Sequence, residues 1–351
     1  LILDALRNVR YPASGKNIVE AGLVEDDIRI NGNKVSFSLI FDRPTDPFIK
    51  SIVKAAETAI LTYISPEVDI KGNIAVKTRT PAPQPAVKPL AQVKNIIGVS
   101  SGKGGVGKST VAANLAVALS GQGWKTGLLD ADIFGPSIPT MFQLEDFQPY
   151  GEMVGDKQML IPAEKFGMKI MSIGFFIKPG SATVWRGPMA SNALKQLITD
   201  TLWEELDYLI IDTPPGTSDI HLTLMQTLQL SGAVIVSTPQ KVALDDARKG
   251  IDMYMNDKIN IPILGLVENM AWFTPAELPE NKYFIFGKEG CRSLAQELQL
   301  PLLAQIPLVA GICESSDKGV PMATHPETLS GMAFHQLADA VTARIQELEQ
   351  V

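Results

Sequence analysis

Cysteine is scarce in this chain, and basic residues are in the minority. Only Cys291 and Cys313 occur in 351 residues, too few for a disulfide framework, so a reducing compartment and a cytoplasmic location are expected. Lysine and arginine total 31 against 38 acidic residues, a formal charge of −7. Nonspecific nucleic-acid binding needs clustered base to meet phosphate, so no nucleic-acid partner is expected. No apolar run reaches the roughly 18 to 20 residues of a membrane span, and no signal-peptide pattern opens the chain. The last helix carries an apolar stripe (Phe334, Leu337, Val341, Ile345, Leu348), but Asp339, Glu347 and Glu349 outnumber Arg344 beside it. A membrane-surface helix wants the opposite charge, so this stripe reads as packing and no membrane partner is expected. No internal repeat is visible.

With 45% hydrophobic residues, the chain has enough length and apolar content for one large domain and a small one. The stretch TPAPQPAVKP, Thr80 to Pro89, holds four prolines in ten residues and reads as a stiff extended linker. The expected division is 1–79, linker 80–92, and 93–351. In the first part, Leu1 to Val9 is a short helix. Ile28, Ile30, Val35, Phe37, Leu39 and Phe41 alternate around Asn31-Gly32, a hairpin signal. Asp46-Pro47 precedes a helix with Phe48, Ile49, Ile52, Val53, Ala56 and Ile60 on one face. Val68, Ile70, Ile74 and Val76 suggest a closing strand, which makes a small α+β domain.

After the linker the chain reads SGKGGVGKST from Ser101. Gly102 and Gly107 bracket four residues ahead of Lys108 and Ser109, which satisfies G-x-x-x-x-G-K-[ST]. Ile96, Ile97 and Val99 run in as a strand, and Val111, Leu115 and Leu119 leave as a helix. Glycines let backbone N–H groups turn inward around phosphate oxygens, and the helix directs its positive end at the same anion. Gly102, Lys103, Gly104, Gly105, Val106, Gly107, Lys108, Ser109 and Thr110 are therefore the expected nucleotide loop. Lys108 is assigned to the β- and γ-phosphates and the Ser109 hydroxyl to Mg²⁺.

Strands are expected at 96–100, 126–130, 208–212, 233–237, 263–267 and 302–305. Their near-continuous apolar character fits a parallel sheet covered on both faces. The expected fold class is α/β: a P-loop NTPase with a mostly parallel sheet flanked by helices, preceded by the small α+β domain. Site residues belong at the carboxyl ends of such strands. There LDYLIIDTPPG ends a strand on Asp212, a Walker B arrangement in which Asp212 holds Mg²⁺ through water and Gly216 offers an N–H to the γ-phosphate.

The second lysine of K-G-G-V-G-K-S is not required by the phosphate cradle. That pattern resembles the deviant Walker A loop of the MinD-like ATPases, which include Mrp-type proteins, nitrogenase reductase and ParA partition proteins. The resemblance implies a face-to-face homodimer in which Lys103 reaches the partner subunit's nucleotide. It also makes DADIFGPS switch I, with Asp132 orienting the attacking water and Asp130 supporting the metal. Asn269, in VENM, is assigned to adenine, although asparagine at a strand end is also ordinary turn chemistry.

DADIFGPSIPTM, VWRGPM (Val184 to Met189), DTPPGTSD and VENMAWF together resemble the Mrp (ApbC-like) iron-sulfur cluster carrier ATPases over essentially the whole chain. NIVEAGLV (Asn17 to Val24) with the hairpin after it resembles the SufT-like domain fused ahead of many of them. Versions of that domain often carry a cysteine where this chain has Asp46, so the domain is expected to dock or regulate. The resemblance implies slow ATP hydrolysis, ATP and Mg²⁺ as ligands, a [4Fe-4S] cluster bridging two subunits, and iron-sulfur scaffolds or recipient apoproteins as partners.

The family usually places a Cys-x-x-Cys pair shortly after VENM. Here AWFTPAELPENKYFIFG, Ala271 to Gly287, holds no cysteine. Cys291 and Cys313 are then the remaining candidates for iron ligands, four thiols per dimer, although a free cysteine is more often a core residue. The alternative is a regulatory or positioning ATPase of the MinD or ParA kind that has lost cluster binding.

Overall fold

The computed structural model describes residues 1–12, 15–41, 46–78, 90–177, 187–217, 219–275, 277–278 and 280–350. Thr80 to Pro89 and the VWR of VWRGPM lie outside the described residues. The chain divides into two compact units, Leu1–Val87 and Lys88–Val351.

The first unit runs α1 (Ile2–Leu6), β1 (Arg29–Asn31), β2 (Lys34–Phe41), α2 (Ile49–Tyr63) and β3 (Ile74–Thr78), with sheet order β1-β2-β3. The hairpin closes on Gly32 and Asn33, because Asn31 already pairs with Lys34. Gly32 sits at φ +59°, a conformation glycine adopts without strain. Alternation on β2 buries Val35, Phe37, Leu39 and Phe41 against Ile52, Ala56 and Ile60 of α2 and Ile70. The closing strand is shorter than the apolar pattern suggested: Val68 and Ile70 precede it, and β3 pairs in parallel with β2 from Ile74. Asp46 accepts the Phe48 N–H at 2.8 Å and the Tyr11 hydroxyl. The carboxylate thus anchors the start of α2.

The second unit begins with β4 (Val93–Ser100), α3 (Lys108–Gly121), β5 (Thr126–Asp130) and α4 (Ile138–Met141). It continues with β6 (Gly151–Val154), β7 (Lys157–Leu160), β8 (Ala163–Lys165), β9 (Met168–Ser172), α5 (Gly187–Asp200) and β10 (Leu206–Asp212). Then come α6 (Asp219–Thr227), β11 (Gly232–Ser237), α7 (Lys241–Met255), β12 (Ile263–Phe273), α8 (Gly290–Glu297), β13 (Leu302–Leu308), α9 (Ala310–Asp317) and α10 (Leu329–Glu349). Eight strands form one sheet in the order β13-β12-β11-β4-β10-β5-β9-β8, parallel throughout except for β8.

Successive strands leave β4 in opposite directions, β5 to one side and β11 to the other. The loop after β4 therefore opens at a crevice where ligands bind in such sheets. Helix α3 behind it is buried on every side (Val111, Ala112, Leu115, Ala116, Leu119), as expected of a helix enclosed by a core. On α10, Phe334, Leu337, Val341 and Ile345 are buried in the same core, and Thr328 caps the helix through the Gly331 N–H. The stripe is packing, and no described helix is long and apolar enough to cross a membrane.

All six expected strands are present. Sequence reasoning missed the β6–β7 hairpin and the β8–β9 edge. Strand β6 is exposed along its length, so it carries no burial alternation to read. The β8–β9 turn uses Phe166 and Gly167, at φ +51° and +72°; glycine or asparagine is the usual first residue there, and phenylalanine hides the signal.

Candidate nucleotide-binding site

The glycines of the loop are required for different reasons. A Cβ on Gly102 would lie 2.1 Å from the backbone carbonyl of Asp246 on α7, so Gly102 exists to let loop and helix touch. Gly107 is at φ +83°, and a Cβ there would meet the Asn269 amide at 2.2 Å. It is also the N-cap of α3 and offers no side chain to the helix. The first N–H groups of α3 are thereby left for an anion. Gly104 has open space around its Cβ position.

Lys108, the first residue of α3, is 6% exposed and donates to the carboxylate of Asp212 at the end of β10. Its ammonium lies 3.3 Å from the Ser109 hydroxyl and 3.8 Å from Asp132. Burial pushes the Asp212 carboxyl up, and the Lys108 charge opposes that. Two carboxylates thus share one buried cation. One oxygen of each, Asp212 Oδ2 and Asp132 Oδ1, is buried with no partner, as is the Ser137 hydroxyl. Asp132 and Ser137, with Lys108, Ser109, Lys103 and Gly105 of the loop, border a cavity of about 260 Å³, and Asp212 lies behind Lys108. A larger groove of about 590 Å³ in the first unit, beside Arg10, Lys54 and Tyr63, has no such set of facing charges. The chemistry belongs to the smaller cavity.

Asp130 departs from expectation. It is fully buried, and its oxygens accept the N–H groups of Asp132 (3.1 Å) and Ile138 (3.2 Å) and the Ser172 hydroxyl (2.9 Å). Burial, then the neighbouring Asp212 charge, raise its pKa well above the ordinary carboxylate range, against the Ser172 hydroxyl, Lys108 and the Asp132 N–H, which lower it. Both oxygens are engaged, so Asp130 shapes the loop that presents Asp132 and Ser137.

Asn269 lies inside β12, not past its end, and Met270 at φ +54° interrupts the pairing with β13. Its amide nitrogen donates to the Val106 carbonyl at 2.8 Å, which ties the strand to the phosphate loop. Gly216, at φ +81°, donates its N–H to the Ser101 carbonyl at 2.9 Å. Lys103 is exposed, and its carbonyl accepts the Ser101 hydroxyl. Val106 is buried under the loop.

Residues 92–342 match the family described as NUBPL iron-transfer P-loop NTPase, and residues 1–70 match the one described as iron-sulfur cluster assembly protein. This chain belongs to the iron-transfer P-loop NTPases. The iron-sulfur cluster carrier protein of Synechocystis is 42% identical over 98% of this chain and 97% of its own length. That of Aquifex aeolicus is 41% identical over 98% of each. A nucleotide-binding protein of Archaeoglobus fulgidus, solved with ADP, is 39% identical, with TM-score 0.57 over 66% of this chain and 88% of that one. The MinD cell-division ATPase of Pyrococcus furiosus shares the fold at 22% identity, with TM-score 0.50 over 71% and 98%.

The residues of this iron-transfer ATPase fit Mg²⁺. The orphaned oxygens of Asp212, Asp132 and Ser137 and the adjacent Ser109 hydroxyl are hard donors of the kind Mg²⁺ takes, directly or through water. Iron is a different matter. Cys291 is fully buried at the start of α8 among Ile235, Ala247, Leu266 and Leu294. Burial, then the Glu268 charge, drives its thiol far above the ordinary range, the opposite of what a thiolate ligand needs. Cys291 is a core residue and not the accessible iron ligand expected from the sequence. Cys313, on α9, is exposed beside Asp317. Among the described residues no group of three or more His, Cys, Asp or Glu is placed to hold a metal.

Sequence reasoning missed Ser137, Ser172 and His221. Ser137 stands within the switch I motif, where a serine in a loop carries no distinctive signal. His221, on α6, follows DTPPG and is one of only three histidines; its rarity was the available signal.

Proposed function

We propose that the chain is an ATP-hydrolysing carrier of iron-sulfur clusters that works as a cytoplasmic homodimer and delivers clusters from scaffolds to recipient apoproteins. The observation that carries the ATPase part is the buried Lys108 set between Asp212 and Asp132 under a loop with free helix N–H groups. Family membership and the carrier names of its relatives support the cluster part. Residues 1–79 form a SufT-like docking or regulatory domain, joined through 80–92 to the ATPase domain 93–351.

Without nucleotide, Lys108 neutralises Asp212. ATP brings a competing anion, so Lys108 moves onto the β- and γ-phosphates, with the N–H groups of Gly104, Gly105, Gly107, Lys108, Ser109 and Thr110 around them. Ser109, and Asp212 through water, would hold Mg²⁺, which when bound would neutralise phosphate charge. Asp132 keeps a free carboxylate oxygen for the attacking water, which it orients for in-line displacement. Gly216 offers its N–H to the γ-phosphate once it leaves Ser101. Asn269 holds the loop through its nitrogen and turns its oxygen to the adenine amino group. Lys103 adds a cation across the dimer.

The cluster is cargo. With Cys291 in the core, each subunit offers one accessible cysteine, Cys313, and a bridging [4Fe-4S] cluster wants four thiolates. Two from the dimer leave two positions to small thiols or to a scaffold or recipient cysteine, which makes the cluster labile and transferable. Anaerobic reconstitution with iron counting tests this: Cys313→Ser should lose the iron and keep its ATPase activity. The burial of Cys291 also favours a second reading, a regulatory ATPase without cluster, which gains if wild-type protein binds no iron.

A further inference from the structure

His221 lies in the first turn of α6, directly behind the DTPPG segment, and is 1% exposed. Both of its ring nitrogens are buried without a hydrogen-bond partner. An imidazole always has at least one N–H to donate, so burying it unpaired is unfavourable unless another state of the protein supplies the partner. The Pro214 carbonyl is close enough to act on the ring as a weak hydrogen-bond partner, but the contact falls short of a well-formed hydrogen bond. Burial, and secondly the Lys108 charge, push the His221 pKa down to about 4. The ring is thus neutral at physiological pH and holds one donor and one acceptor.

Two residues beyond Pro214, the Gly216 N–H is engaged with the Ser101 carbonyl of the phosphate loop. A donor aimed at the loop backbone is unavailable to a phosphate. For Gly216 to reach the nucleotide, that bond must break and the Pro214–Gly216 backbone must shift, and a buried donor beside Pro214 lacks a well-formed bond until it does.

We propose that His221 is a positioning residue for γ-phosphate recognition, whose ring N–H bonds to the Pro214 carbonyl when Gly216 exchanges Ser101 for the phosphate. This rests on the reading of the loop as an ATP site with Gly216 facing the γ-phosphate. One backbone bond is lost as one side-chain bond forms, so the two states stay close in energy. The terminal phosphate then decides between them, because ADP offers nothing to the freed Gly216 N–H. His221 touches no reacting atom in this scheme and acts only through the segment.

The test compares His221→Leu, which fills the space without a donor, with His221→Gln, which keeps a side-chain N–H. Affinities for Mg-ADP and Mg-ATPγS are measured by calorimetry on the full chain, together with thermal stability. Wild type and His221→Gln should prefer ATPγS to the same degree. In His221→Leu that preference should fall about tenfold, or about 1.4 kcal/mol, with ADP affinity unchanged. Thermal stability should hold or rise, since two orphaned nitrogens are removed. An unchanged preference in His221→Leu, with ADP still bound, overturns the role of His221 alone. Equal loss in the Gln and Leu variants also overturns it, because shape and not the donor would then matter. Wild-type protein that binds neither nucleotide overturns the ATP-site reading and this proposal with it.

Discussion

Replacing Lys108 by methionine should abolish ATP hydrolysis and also make the fold's stability depend on pH in a defined direction. Lys108 is the buried cation for Asp212, with Asp132 3.8 Å away. Removing one partner of such a pair costs about 3–5 kcal/mol while the other stays charged. Asp212 can avoid that cost by taking up a proton. Burial already raises its pKa, and Lys108 is the main opposing influence, so loss of the lysine raises it further. The folded variant then holds a proton that the unfolded chain, with a carboxylate pKa of about 4, has released. When the folded state binds more protons, stability falls as pH rises, by about 1.4 kcal/mol per unit between the two pKa values. Between about pH 5.5 and about pH 8 the deficit of Lys108→Met relative to wild type should therefore grow, by at most about 1.4 kcal/mol per pH unit. Urea unfolding followed by tryptophan fluorescence reads it, since all four tryptophans lie in this unit and Trp203 is fully buried there. Adding Asp212→Asn should remove the pH dependence without restoring hydrolysis. A deficit that is the same at both pH values, or that survives in the double variant, would refute the charge argument.

Three further outcomes are expected. Asp132→Asn should lower kcat about a hundredfold while KM for ATP changes little, because the phosphate cradle is untouched; a rise in KM at constant kcat would contradict the water-orienting role. Mixing Lys103→Ala subunits with Lys108→Ala subunits should regenerate ATPase activity if Lys103 acts across a dimer, and steady-state turnover of titrated mixtures that never exceeds that of either parent would count against it. Thiol titration should find Cys313 reacting within minutes in native protein and Cys291 only after unfolding; rapid native reaction of both would show that Cys291 leaves the core.

How much of this was legible in the residues alone varies with the range of the interaction. The P-loop, Walker B and switch motifs are local signals, because a strand, a glycine turn and a helix start lie within about twenty residues, and each carries its own chemistry. The six parallel strands were legible because burial on both faces makes them continuously apolar. The hairpin of the first unit was legible from alternation, and its exact turn was not, since Gly32-Asn33 and Asn31-Gly32 differ by one residue of register. Strands β6 to β9 escaped because an exposed ribbon and a phenylalanine in a left-handed turn give no local sign.

By itself the sequence determined the fold class, the phosphate chemistry and the family, since these depend on residue type and short spacing. Only the tertiary structure decided which polar groups are free to act. Asp130 and Asp212 both end strands with the same character, yet one is consumed by loop N–H groups and Ser172 while the other keeps an open oxygen. Cys291 and Cys313 are alike in sequence, but one is enclosed at the start of α8 and the other faces solvent. His221 has no motif at all and becomes notable only when the packing around it leaves both nitrogens without partners. Burial and hydrogen-bond saturation arise from contacts between segments far apart in the chain, and no local pattern encodes them.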